Sequence, residues 1–381
     1  MAPRYKVISG DSHLDIPANR WTPHVAAKWR DRAPTLVKLA DGSEGFLVEN
    51  RRIRGGSKTL PHRMRDLAQE PGTPHPGTGT PERRVQEQDE DGVDAEILYT
   101  HTYMGYWRGI SDDEAYEAVV HGYNEWLAEE YCAAAPDRLI AMGLIPDTGL
   151  PAALAEMEHV ARIGLKAVQL VSFPSGKSYP TPEDDEFWKA ALEMKMPITA
   201  HTNGGTTRFP LDGPLFRYPR RAGRDGGDPV SVLLRFVGDQ ATAHLQMTMA
   251  GVFDRFPGLR IYWGETQAGW IPHALAQIDD NWECNRFLAE RDYGLTGPAK
   301  PISSYMTENG LWGFLNDPVG VRLRHDIGVD TLLWGSDFAH SASAWPFSRD
   351  VIDKSFAGVP DDDRHKLLAG NAVDFFRLDV D

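Results

Sequence analysis

Residues 140–170, IAMGLIPDTGLPAALAEMEHVARIGLKAVQL, decide the fold. Two short apolar runs, Ile140–Ile145 and Ala167–Leu170, flank a stretch from Pro151 to Ile163 whose apolar residues recur at helical spacing. Pro151 suits the first turn of a helix, where its missing N–H would have had no partner. Gly164 suits the end, because glycine enters the left-handed region without strain. Short apolar runs bounded by Gly, Pro or Asp read as strands buried on both faces. The segment therefore predicts strand, helix, strand, which is a parallel βαβ unit.

The same alternation extends in both directions. Lys6–Ser9 (KVIS) and Ala95–Tyr99 (AEILY) read as earlier strands. Pro197–Ala200 (PITA), Ile261–Trp263 (IYW) and Thr331–Trp334 (TLLW) read as later ones, and an eighth, weakly signalled, falls between Ile302 and Phe314. Helices are expected from a capping box at Ser111–Glu114 to a stop at Pro136, over Pro182–Met194 and over Trp270–Leu288. About eight such units favour an α/β fold of the (β/α)₈ TIM-barrel type, which can occupy a chain of this length as one domain, residues 1–381. Residues 17–91 break the alternation. They read as an insertion after the first strand, with one or two β-hairpins and a Pro/Gly-rich loop, expected to cover the active face. Thr206–Val230, rich in Arg, Gly and Pro, reads as a second long loop.

Composition narrows the function. The 381 residues are 41% hydrophobic and 25% charged, ordinary for a globular protein, and no apolar run approaches the length of a membrane span. A formal charge of −15 repels phosphate backbones, so no nucleic-acid partner is expected. Cys132 and Cys284 are the only cysteines, and the amino-terminal residues lack a secretory apolar core; together these predict a cytoplasmic protein. No G-x-S-x-G elbow, dinucleotide-binding GxGxxG, P-loop or H-E-x-x-H occurs.

The chemistry gathers at strand ends. Asp11 and His13 follow the first strand and, two apart, point the same way. His201 follows PITA, and Asp337 closes WGSD just beyond TLLW. Each alone also fits a capping aspartate or a hydrogen-bonded core histidine. Four polar residues at four converging ends are costly to bury without a shared partner, however, and two imidazoles with two carboxylates suit Zn²⁺, Mn²⁺ or Fe²⁺. His101, just past the AEILY strand, is a candidate substrate or acid/base group. His340 is a candidate for orienting Asp337. Trp107, Trp263, Trp270, Trp334 and Trp345 lie near strand ends, where they wall a planar substrate or pack the barrel.

GDSHLDIP (10–17), NEWLAEEYCAAAPDRL (124–139), ITAHTNGG (198–205), GVFDRFPGLRIYWGETQAGWIP (251–272), LLWGSDFAH (332–340) and LLAGNAVDFFRL (367–378) resemble, in order and spacing, the aminocarboxymuconate-semialdehyde decarboxylase-like branch of the amidohydrolase superfamily. The resemblance implies a TIM barrel with one divalent metal, zinc first and manganese or iron as alternatives, held by Asp11, His13, His201 and Asp337. It implies non-oxidative decarboxylation of an aromatic or unsaturated carboxylic acid. Hydrolysis of an amide, ester, lactone or C–C bond by metal-activated water is the alternative, and a catalytically dead ligand-binding barrel is the third reading. A small planar acid is the expected partner, and a homodimer the expected assembly. The chain departs from the family at Asp15, where relatives often have Glu before the proline, and at Glu265. Glu265 stands where many decarboxylating members have histidine, so Glu265 joins Asp337 and His101 as the catalytic candidates.

Overall fold

The computed structural model describes residues 4–14, 16–38, 44–49, 51–54, 76–100, 107, 109–177, 179–201, 239–340 and 343–380. The segment that decided the fold forms strand β6 (Leu139–Leu144), a helix over Leu150–Arg162 and strand β7 (Ala167–Leu170), with β6 and β7 parallel. Gly164 has φ 85°, the left-handed stop expected of it.

Eight parallel strands pair in chain order. They are β1 (Ile8–His13), β5 (Ala95–Tyr99), β6, β7, β8 (Ile198–His201), β9 (Ile261–Gly264), β10 (Gly310–Phe314) and β11 (Leu332–Trp334). The weakly signalled eighth strand is β10, whose GLWGF run is buried throughout. The last strand is only three residues long, and the barrel closes back on β1 just beyond it. There Ser12 bridges Phe338, His13 N–H donates to the Phe338 carbonyl at 2.6 Å, and Asp337 N–H donates to the Asp11 carbonyl at 2.8 Å.

Strand alternation divides the apolar residues into two clusters. Ala95, Ile97 and Tyr99 of β5 point inward with Ile140, Met142, Tyr262, Leu311 and Leu333, joined by Phe375 and Phe376 from the carboxy-terminal helix. Leu98, Leu139, Ala141 and Leu144 face outward, into the layer shared with the helices.

Some boundaries differ from expectation. The first strand starts at Ile8 and runs through His13, with a register shift between Ser9 and Ser12, so Asp11 and His13 lie within the strand and not after it. The helix Asp113–Trp126 is capped by Asp112, whose carboxylate accepts from Ala115 N–H at 2.9 Å. Ser111 is displaced from that role because its N–H and Oγ both donate to Glu49, at 3.0 and 3.1 Å. The third long helix continues to Tyr293, where Gly294 (φ 72°) stops it.

Within residues 17–91 the structure holds a three-stranded antiparallel sheet of β2 (Thr35–Lys38), β3 (Glu44–Val48) and β4 (Arg51–Arg54), and then a helix over Pro81–Asp91. The Pro/Gly-rich stretch before that helix is described only from residue 76, and the expected loop over 206–230 lies outside the described residues.

Candidate active site

Asp11, His13, His201 and Asp337 converge at the carboxy-terminal ends of β1, β8 and β11. Asp11 and Asp337 are fully buried, and His13 is 3% exposed. His13 Nε2 lies 3.2 Å from Asp11 Oδ1 and 3.3 Å from Asp337 Oδ1. His201 Nε2 lies 3.2 and 3.3 Å from the two Asp11 oxygens. The imidazoles of His13 and His201 meet edge to face at 4.7 Å.

These spacings suit hydrogen bonds and metal ligands alike, and the unpartnered atoms favour the metal. Neither ring nitrogen of His13 has a hydrogen-bond partner, although two carboxylates press on Nε2, and Asp337 Oδ2 is likewise unpartnered. Buried polar atoms are rarely left so, because each costs its desolvation. Donors separated by 3.2–3.3 Å are spaced as two ligands would be when each lies about 2.1 Å from one ion. The titration behaviour agrees. Burial disfavours the charged form of His13, yet Asp11 and Asp337 overcome it and push its pKa up to about 10. Burial raises the Asp11 carboxyl, but His201 and His13 hold it below the ordinary carboxylate range. Two buried carboxylates thus demand positive charge beside them, which one divalent ion can supply in place of protons on the imidazoles. Ligand atoms of Asp11, His13 and His201 lie within 4.8 Å of one another, as do those of His13, Asp337 and His340, and such donors fit an ion.

The surroundings fix the donors. His340 Nδ1 donates to Asp337 Oδ1 at 2.8 Å, and its ring stacks on His13 at 3.8 Å, so it orients a carboxylate as the sequence suggested. Ser9 Oγ donates to the Asp11 carbonyl at 2.8 Å and accepts from Ser336 N–H at 2.9 Å, tying β1 to the segment that carries Asp337. Two glycines allow close approach. A Cβ at Gly264 would lie 2.8 Å from His201 Cδ2, and one at Gly335 would lie 2.6 Å from Asp11 Cβ.

Glu265, immediately after β9, places Oε2 3.8 Å from His201 Nε2 with its side chain 27% exposed, at the rim of the cluster. Its backbone is left-handed, with φ 55°, and so is that of Asp337, with φ 52°. Non-glycine residues in this region concentrate where surrounding structure enforces them, often at functional sites. His101 lies outside the described residues.

The tryptophans take the packing role. Trp263 donates to His244, Trp270 packs on Trp312, Trp345 stacks on Phe338, Trp107 meets Trp21 and Tyr123, and Trp334 is buried in the outer core. The aromatic ring that does line the metal cluster is Tyr99, 4.7 Å from His201 and 5.7 Å from His13. Its strand was legible in AEILY, but the direction of the ring and its neighbours were not.

The chain is similar to known proteins along nearly its whole length. It is 27% identical over 315 residues to a gamma-resorcylate decarboxylase of Rhodococcus jostii, covering 78% of this chain and 87% of that one. An amidohydrolase structure from Mycobacterium avium subsp. paratuberculosis superposes with a TM-score of 0.71 at 20% identity, covering 98% and 99% of the two chains. A 5-carboxyvanillate decarboxylase from Novosphingobium aromaticivorans, complexed with manganese and 4-hydroxy-3-methoxy-5-nitrobenzoic acid, superposes with a TM-score of 0.64 at 18% identity, covering 98% and 96%. Since the amidohydrolase family pattern matches residues 18–378, the chain belongs to the amidohydrolase family.

Proposed function

We propose that this enzyme removes the carboxyl group of a small aromatic acid non-oxidatively, with one divalent metal held by Asp11, His13, His201 and Asp337. The single observation that carries the reading is the cluster of buried, unpartnered donors on His13 and Asp337 at the strand ends. The relatives named decarboxylases support the choice of reaction. When bound, the ion supplies Lewis acidity toward the substrate's oxygens.

The chain's own residues supply the proton. Loss of CO₂ leaves an electron pair on the ring carbon, and one proton must reach that carbon. Asp337 Oδ1 is tied to His340 Nδ1 at 2.8 Å, leaving Oδ2 as the oxygen that carries and delivers the proton. Glu265 Oε2, at the half-exposed rim, exchanges that proton with solvent. His101, two residues past β5 in sequence, is assigned to the substrate side on that position alone.

Glu265 also favours a second reading. A carboxylate in place of the family's histidine is a weaker base, but an ordinary carboxylate is already ionised at neutral pH and so can accept a water proton, which suits hydrolysis. The two are separated by supplying dihydroxybenzoates and hydroxy-methoxy-isophthalates to the metal-loaded enzyme and measuring CO₂, beside a panel of amides and lactones. CO₂ release supports the decarboxylase. Turnover confined to the amides or lactones replaces it with the hydrolase.

Manganese and zinc both suit two carboxylates with two imidazoles, and metal analysis of the purified protein decides between them. Free Cys132 and Cys284 suit a reducing compartment, and no helix among the described residues is long and apolar enough to cross a membrane. We assign the enzyme to the cytoplasm as a homodimer, to be tested by fractionation and sedimentation.

A further inference from the structure

The helix Pro81–Asp91 packs against the barrel in an unusual way. A helix normally turns an apolar stripe inward, at spacings of three and four residues. Here the inward positions are Arg84, Glu87, Gln88 and Asp91, and each is 3% exposed or less. Such a stripe is costly to bury unless every group is satisfied, and these contacts are directed. Asp91 accepts from Ser348 N–H and Oγ at 2.8 and 2.6 Å. Gln88 Nε2 donates to Glu96 at 2.8 Å and to the Arg138 carbonyl at 3.1 Å. Glu87 accepts from Gly77 N–H at 3.2 Å.

Arg84 sits at the centre of this face. Its Nε and Nη2 form a fork on the Glu96 carboxylate of β5, at 2.7 and 3.0 Å. The guanidinium then reaches two backbone oxygens, one on β1 and one on the segment beyond β11. Nη1 donates to the His13 carbonyl at 3.1 Å, and Nη2 donates to the Phe338 carbonyl at 3.2 Å. The group also lies 4.4 Å over the Phe338 ring. His13 and Asp337, the neighbour of Phe338, are two of the four metal-site residues, and they stand on opposite sides of the barrel seam.

That seam is closed by an isolated bridge and not by a regular ladder. Regular pairing of β11 ends at Trp334, and beyond it the links to β1 are the Ser12–Phe338 bridge with its two backbone bonds and the hydroxyl contacts of Ser9 and Ser12 with Ser336. Arg84 adds a further cross-link at that place. The bridge runs from the oxygen of one metal-site residue to the oxygen beside another. A buried ion pair is not in itself more stabilising than apolar packing of the same shape. What a planar guanidinium provides is fixed angles to several acceptors at once.

We propose that Arg84 is a positioning residue of the metal centre: anchored on Glu96, it sets the separation of His13 and Asp337 across the seam between β1 and β11. The proposal rests on the metal-binding reading of those residues. It names a role for an arginine that touches neither the ion nor the substrate.

The test uses cobalt(II) as a probe and two variants of the full-length chain. Arg84→Lys keeps a cation beside Glu96 but cannot span both carbonyls. Arg84→Met/Glu96→Gln removes both charges, so that no uncompensated ion is left buried. Cobalt(II) affinity by chelator competition, the cobalt visible spectrum and thermal unfolding of the metal-free protein are measured for each. The expected result is a variant that unfolds near the wild-type temperature without metal but binds cobalt roughly 10- to 100-fold more weakly, with an altered visible spectrum. Wild-type affinity and spectrum in either folded variant would overturn the proposal. So would failure of both variants to fold, which would make Arg84 a folding residue. A wild-type protein that takes up no cobalt overturns the metal centre itself, an outcome distinct from the other two.

Discussion

His13 Nε2 stands 3.3 Å from Asp337 Oδ1 across the seam where the first and last strands of the barrel meet. Asp337 Oδ1 is held by His340 Nδ1 at 2.8 Å, while His13 Nε2 and Asp337 Oδ2 have no hydrogen-bond partner and are left to face a shared cation. The two residues are 324 positions apart in the chain, and the closing of the barrel is what brings them together.

Asp337 is asked both to hold the metal and to carry a proton. Asp337→Asn keeps an oxygen donor of the same shape but removes the acid/base function. Turnover is expected to fall by roughly 10²- to 10⁴-fold while metal content and circular dichroism stay near wild type. Substantial residual turnover with metal in place would remove Asp337 from proton transfer.

Glu265 is tested in the same way at the rim. Glu265→Gln preserves the side chain's volume and the left-handed backbone that residue 265 adopts, and removes only the titrating group. A fall in kcat of about 10²-fold or more is expected, with KM little changed, because the group acts on the proton and not on binding. A fall confined to kcat/KM through KM would instead assign Glu265 to substrate recognition.

The sequence carried the barrel because each strand is local. An apolar run with a turn residue on either side says strand without reference to anything distant, and AEILY and AVQL form over Ala95–Tyr99 and Ala167–Leu170, as read. Asp11, His13, His201 and Asp337 were legible because barrel topology sends every strand's carboxy-terminal end to one place. Arg84 was not legible, because its meaning depends on which carbonyls its helix meets after a return across the insertion. The role of the tryptophans was not legible either. A ring at a strand end faces either the site or the helix layer, and only the register decides, as for Trp263 on His244. Ser111 shows the same limit on a small scale, since a hydroxyl at a helix start caps it only if nothing else, here Glu49, takes its hydrogens.

Gly264 should tolerate no side chain. An alanine Cβ there would sit 2.8 Å from His201 Cδ2 and 2.9 Å from the hydroxyl of buried Tyr99, both packed at the proposed metal site. His201 is the softer neighbour, so the strain is expected to turn its ring away from Asp11. Gly264→Ala should therefore fold and lose metal affinity by tenfold or more, measured by chelator competition. Unchanged affinity would mean that β9 shifts to accommodate the methyl group.

His244 supplies the pH prediction, away from the metal. It is fully buried, donates from Nε2 to the Tyr305 carbonyl at 2.9 Å and accepts at Nδ1 from the Trp263 indole N–H at 3.2 Å. Burial disfavours the imidazolium, and the hydrogen bond to the carbonyl offsets this only in part, so the pKa falls to about 4. Protonating Nδ1 would also set two N–H groups against each other. The folded value lies below the ordinary 6.5, so as pH falls the unfolded chain takes up its proton first. Stability is therefore lost from about pH 6.5 down to about 4, with a loss of roughly 2 kcal/mol between pH 7 and 5 from this residue alone. His244→Gln can keep both hydrogen bonds without titrating, with its amide donating to Tyr305 and its carbonyl accepting from Trp263. Denaturant unfolding at the two pH values should show a smaller acid-induced loss in the variant than in the wild type. Equal losses would place the acid sensitivity elsewhere in the barrel.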